Sequence, residues 1–130
     1  MLTKSHITTM LPVRQMDRAR SFYQDKLGLI PEGMHDDGSW VMRCADGGTV
    51  SLIPKPEGTK AEHTALSFEV DNIDAEIKDL EVRGVKFEDY DMPGLKTLNH
   101  VFATKDEKCA WFTDPEGNIL CIHQEMRKHH

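Results

Sequence analysis

From His6 to Val13 apolar and polar residues alternate. Ile7, Thr9, Leu11 and Val13 form one face, and His6, Thr8, Met10 and Pro12 form the other. Period two predicts a strand, with Pro12, which offers no ladder donor, at its end. The period then changes. Met16, Ala19, Tyr23 and Leu27 recur at helical spacing, and Gly28 stops the stripe. Leu29–His35 and Trp40–Cys44 predict strands around an Asp36-Asp37-Gly38 turn, and Ala45-Asp46-Gly47-Gly48 predicts a second turn before a strand at Thr49–Ile53. The first half therefore reads β-α-β-β-β.

Pro54 to Glu62, with two prolines and a glycine among polar residues, reads as a linker. The pattern then restarts. Thr64, Leu66, Phe68 and Val70 alternate with His63, Ala65, Ser67 and Glu69. Asp71 or Asn72 caps a helix expected over 72–83, with Ile73, Ile77 and Leu80 on one side and Gly84 at its end. Val85–Tyr90 predicts a strand. The long segment 91–107 follows, with a short strand at His100–Thr104.

Two apolar runs, Cys109–Thr113 and Asn118–His123, flank Asp114-Pro115-Glu116-Gly117. Pro115 fixes φ and Gly117 supplies a left-handed position, so the chain doubles back into a hairpin. On its second strand Leu120 and Ile122 oppose Ile119, Cys121 and His123. The two halves align without gaps from His6 onto His63 through Asp17 onto Asp74, and from Asp46 onto Glu116 through Ser51 onto Cys121, which marks an internal duplication.

Composition narrows the partners. The 130 residues carry 16 basic and 22 acidic side chains, a net charge of −6, with no basic stripe; this argues against nucleic acid or an anionic membrane as partner. No apolar run approaches a membrane span, the first residues lack the apolar core of a signal peptide, and three cysteines form no framework, so a cytoplasmic protein is expected. The terminal Lys128-His129-His130 is set aside from site reasoning.

The pieces LPVRQMDRARSFYQDKLGL, HTALSFEVDNIDAEIKDLEVRGV and AWFTDPEGNILCIHQ resemble, in order and spacing, the vicinal oxygen chelate superfamily, the glyoxalase/bleomycin-resistance/extradiol-dioxygenase group. The resemblance covers nearly the whole chain. It implies an α+β fold: one domain of two βαβββ modules, at about 5–54 and 63–125 around a linker at about 55–62, whose curled mixed sheets enclose a ligand-holding cup. It also implies a homodimer, which exposed sheet edges favour.

Under that fold the apolar faces meet the helices, and the opposite faces line the cup. The cup-lining candidates are Thr8, Met10, Ser51, His63, Ala65, Ser67, Cys121 and His123, with Tyr90 and His100 from the 91–107 region and its border. The family's metal ligands, usually His and Glu, would fall on Thr8, Ser51, Ala65 and Cys121. None of these is His or Glu, and one thiol does not hold a hard divalent ion, so no metal cofactor is expected. The rival is a shifted site in which His6, His63 and His123 converge on a divalent metal. Trp40 and Trp111, on strands, are either stacking platforms for a planar ligand or core residues. Cys121 has no basic partner in the local sequence to activate it. Phe22 and Tyr23 read as core or interface.

Three functions follow: a protein that binds a small, partly apolar molecule in the cup without metal; a metal-dependent lyase, isomerase or dioxygenase using the shifted histidines; or a metal-independent enzyme with His63 or His123 as general base. The missing ligand set favours the first, and the histidine trio keeps the second as its alternative.

Overall fold

A computed structural model describes residues 1–44 and 48–126. The turn expected at Ala45-Asp46-Gly47 and the terminal histidines lie outside the described residues. The chain forms two compact units. The first holds Met1–Ala61 together with Asp114–Asn118, and the second holds Glu62–Thr113 and the chain from Ile119 onward.

In the first unit, strand β1 (Thr8–Val13) leads into α1 (Met16–Ser21), and β2 (Ile30–Met34), β3 (Trp40–Arg43) and β4 (Thr49–Pro54) complete a curled mixed sheet of order β1-β4-β3-β2. β1 runs parallel to β4, with Thr9, Leu11 and Val13 level with Val50, Leu52 and Pro54. Leu11, Val13, Val50, Leu52 and, from β3, Met42 are buried beneath the helix, as the alternation requires. Ile7 departs from this reading: it precedes β1 and is 78% exposed, since no strand lies across from it. The expected helix to Leu27 exists in two parts, because a wide π-turn over Phe22–Lys26 takes over after Ser21. That turn buries both Phe22 and Tyr23, whose rings meet edge to face at 5.4 Å.

The tip of the last hairpin belongs to this unit, and two buried carboxylates fasten it. Asp114 accepts from the Tyr23 hydroxyl at 2.6 Å, from the Asn118 side chain at 2.9 Å, and from the backbone N–H groups of Glu116 and Asn118. Burial and the charge of Asp114 push the Tyr23 phenol far above its ordinary value, so it stays a donor. Glu116 accepts from the N–H groups of Arg14 at 2.6 Å and Gln15 at 3.1 Å, and from the Arg18 guanidinium at 2.8 Å. It thereby anchors the two residues that lead into α1 and, through Arg18, the helix's first turn; the N-cap residue Gln15 makes no side-chain cap.

In the second unit, β5 (Thr64–Glu69), α2 (Ile73–Val82), β6 (Phe87–Glu88), β10 (Glu107–Thr113) and β11 (Ile119–Glu125) repeat the order, with the sheet running β5-β11-β10-β6. Between β6 and β10 come a two-stranded ribbon, β7 (Asp91–Met92) with β8 (Leu95–Lys96), and a short β9 (Phe102–Ala103) on β10. The strands expected at Val85–Tyr90 and His100–Thr104 thus shrink to two residues each, because β10 offers ladder partners only at Trp111 and Phe112 for β6 and at Lys108 and Cys109 for β9. Ile73, Ile77 and Leu80 of α2 are buried, as are Ala110, Phe112, Leu120 and Ile122 on the sheet face it packs against. Asn72 caps α2 by accepting from the Ala75 N–H at 3.1 Å, and Gln124 accepts from the Ile73 N–H at 2.9 Å. No helix among the described residues is long and apolar enough to cross a membrane.

Candidate functional site

The sheet of the second unit has one face under α2 and one face without a helix. Period two fixes what the uncovered face carries. Cys109 and Trp111 of β10 share it with Cys121 and His123 of β11, and Ser67 and Glu69 of β5 lie level with Cys121 and His123. Trp111 is half-buried and sits in an aromatic group: the Tyr90 ring meets it edge to face at 5.6 Å, and the Phe102 ring lies tilted at 6.4 Å. Its indole N–H donates to the Thr64 hydroxyl at 3.2 Å. Burial and the neighbouring Glu88 raise the Tyr90 phenol above its ordinary value, so at neutral pH it is an uncharged donor.

Next to this group the Ser67 hydroxyl lies 2.5 Å from His123 Nδ1. The other ring nitrogen stands 3.9 Å from a Glu125 oxygen. Cys121, behind them, is 5% exposed, and burial raises its thiol despite hydrogen bonds from Ser67, the Ala110 N–H and Cys109. Burial and the adjacent Cys121 push the Cys109 thiol up to about 12. Both sulfurs are therefore protonated at neutral pH and serve as apolar floor rather than nucleophile or ligand.

A bulge changes the start of β5. Ile119 pairs with Thr64 but Leu120 pairs with Leu66, leaving Ala65 as the extra residue. Thr64, expected beneath the helix, instead reaches Trp111 on the uncovered face. His63 is exposed and precedes the strand. It lies six residues before Glu69, the ladder partner of His123, a separation of roughly 20 Å along a strand. His63 and His123 accordingly do not share an ion. The donors grouped with His123 are Glu69 and Glu125, all within 4.8 Å of one another. His6 and His63 are not in that group.

His100 also departs from the expected set. Its Nδ1 lies 3.0 Å from Asp89, its Nε2 lies 3.5 Å from Glu81 of α2, and its ring tilts over Phe87 at 6.1 Å. Phe87 pairs with Phe112 on the helix-covered side, so His100 belongs to that side. Asn99 and His100 both take left-handed backbone angles, φ 52° and 73°, which turn the chain there. A cavity of about 430 Å³ beside them is bounded by Asp89, Tyr90, Lys96 and His100.

In the first unit, Thr8 and Met10 lie level with Thr49 and Ser51 on the face away from α1. Thr8 and Met10 are exposed and Ser51 is buried. Trp40 is on the opposite face: its indole N–H donates to Gln24 at 2.8 Å and the Arg20 guanidinium covers its ring at 3.5 Å. Of the two tryptophans, only Trp111 is left as a platform. Sequence reasoning missed Phe102 and Thr64; Phe102 sat in a segment without periodicity, and a bulge leaves no mark in an alternating pattern.

The four positions corresponding to the family's ligands carry two hydroxyls, a methyl and a buried thiol. This donor set does not fit a divalent ion, which requires carboxylate or imidazole to offset its dehydration.

A repeated βαβββ plan, with a helix over one face of each curled sheet, defines the class. Residues 5–122 match the sequence profile of the Glyoxalase/Bleomycin resistance protein/Dioxygenase superfamily, and the chain belongs to that superfamily. No curated protein sequence matches it. Among solved structures it resembles TnmS3, an antibiotic binding protein from Streptomyces sp. CB03234 (22% identity, 96% of this chain and 99% of that one, TM-score 0.74). It also resembles a glyoxalase/bleomycin resistance protein/dioxygenase from Alicyclobacillus acidocaldarius (15% identity, 95% and 93%, TM-score 0.71) and lactoylglutathione lyase from Agrobacterium tumefaciens (17% identity, 93% and 93%, TM-score 0.69).

Proposed function

We propose that this protein binds a small, partly apolar, planar molecule on the uncovered sheet face of its second unit, without the divalent metal of its catalytic relatives. One observation carries the reading: Tyr90, Phe102 and Trp111 gather on a face that no helix covers. Aromatic rings there present apolar area and a stacking surface, while the Thr64 and Ser67 hydroxyls and the His123 imidazole supply hydrogen bonds. The likeness to an antibiotic binding protein supports a binding role. The poor donor set at Thr8, Ser51, Ala65 and Cys121 supports a role without metal. Thr8, Met10 and Ser51 share the corresponding face of the first unit's sheet, and we take them as a further ligand-facing surface. We take the protein to act as a cytoplasmic homodimer.

The test is a thermal-shift and fluorescence screen with planar aromatic compounds. A ligand should raise Tm with concentration and quench Trp111, and Trp111→Ala should abolish its binding. A screen in which Trp111→Ala leaves the affinities unchanged refutes the reading. A second reading, a metal-dependent enzyme, has one observation in its favour, the Glu69–His123–Glu125 group. Stoichiometric divalent metal in protein freed of its terminal histidines, lost in His123→Ala, would favour it.

A further inference from the structure

The charges around the aromatic group narrow the ligand further, given the binding reading above. Glu88 is the ladder partner of Trp111. Glu69 lies level with His123, and Glu107 lies directly opposite Glu125. By period two all four stand on the uncovered face, whereas Lys108 falls on the other. Among the described residues the register puts no lysine or arginine on this face of β5, β6, β10 or β11. A directly opposed pair of glutamates destabilises a sheet; Glu107 has the Cys109 thiol as a hydrogen-bond partner, and His123 Nε2 lies 3.9 Å from Glu125. Among the described residues, the charged ladder residue of the first unit's corresponding face is Arg43, which is paired with Glu32 at 3.0 Å.

We propose that the second unit's face selects a planar aromatic cation. The aromatic body would stack against Trp111 between Tyr90 and Phe102. The positive charge would meet Glu88 or the Glu69–Glu125–Glu107 end, relieving their repulsion, and would gain a cation–π attraction from the indole. A neutral ring system loses the charge interactions, and an anionic one meets four glutamates.

Three probes of one tricyclic frame test this: proflavine as cation, acridone as neutral molecule and acridone-4-carboxylate as anion, titrated by calorimetry with a chelator present. Proflavine should bind about tenfold tighter than acridone, with the carboxylate weakest. The preference should shrink at about 1 M salt, where screening acts within roughly 3 Å. It should also shrink in the Glu88→Gln/Glu125→Gln double variant, both exposed positions, with acridone affinity unchanged. Acridone binding as tightly as proflavine, or a preference that survives the double variant, overturns the cation selectivity while leaving the binding reading standing. Failure of all three probes to bind, or binding that persists in Trp111→Ala, overturns both.

Discussion

The first turns of α1 and α2 occupy the same place in the two repeats but are held by different means. α2 has a cap from its own neighbourhood: Asn72, one residue before the helix, accepts from the Ala75 N–H, alongside the distant Gln124, which accepts from the Ile73 N–H. α1 has no such residue; the N–H groups of Arg14 and Gln15, the two residues leading into it, and the Arg18 guanidinium within it donate to Glu116, about a hundred positions later in the chain. The Asn72 cap is a local device, readable from a short stretch. The Glu116 anchor at the start of α1 forms only when the hairpin tip docks, so it ties this helix start to tertiary structure. The sheets diverge in the same way. The first unit spends its polar side chains on a buried network around Asp114, whereas the second leaves glutamates and aromatic rings on an uncovered face. The duplicated plan thus supports a structural staple in one copy and a candidate binding surface in the other.

The largest effect should come from removing the centre of the staple. Asp114→Ala leaves the Tyr23 hydroxyl, the Asn118 amide and two backbone N–H groups without their acceptor in a buried place. A loss of about 3–5 kcal/mol is expected in denaturant unfolding. A loss below about 1 kcal/mol would dissolve the contrast between the units.

Glu116→Gln should cost less, about 1–3 kcal/mol, since the amide oxygen still accepts but the charge is gone. Burial pushes this carboxyl up, but hydrogen bonds from the Arg14 N–H, the Arg18 guanidinium and the Gln15 N–H, with the Arg18 charge, outweigh it and hold it below its ordinary 4.5. A depressed folded value means the unfolded chain takes up protons first. The contribution is therefore complete above the ordinary carboxylate range and is lost as pH falls through the depressed value. Unfolding curves collected from neutral pH down past 4.5 should show wild type and Glu116→Gln converging in acid.

Asn72→Ala sharpens the comparison from the other side. A local cap contributes about 1 kcal/mol, and this asparagine is exposed. Hydrogen exchange should register the loss in the first turn of α2 while leaving α1 unchanged, whereas Glu116→Gln should do the reverse. At the small end, Glu32→Gln breaks an exposed ion pair with Arg43 and should shift stability by less than about 0.5 kcal/mol.

Alternation and helical stripes, read from the sequence, determined the two βαβββ repeats, the helix-facing sides of the sheets and a cap at Asp71 or Asn72, which the structure places at Asn72. Each of these depends on residues within a few positions of one another, where the period of burial dictates which side chains turn inward. The same local signals put Ser67, Cys121 and His123 on one side of their strands, while leaving Trp111 open between a stacking platform and the core. Tertiary structure alone decided the bulge at Ala65, because a slip of register is set by the partner strand and not by the strand that slips. It also decided the side on which His100 lies, since two left-handed residues redirect a segment that has no period to read. The partners of Asp114 and Glu116, the placing of Glu88 level with Trp111 and that of Glu107 opposite Glu125 arise from contacts between residues far apart in the chain, and no local pattern encodes which distant residue will be level with which.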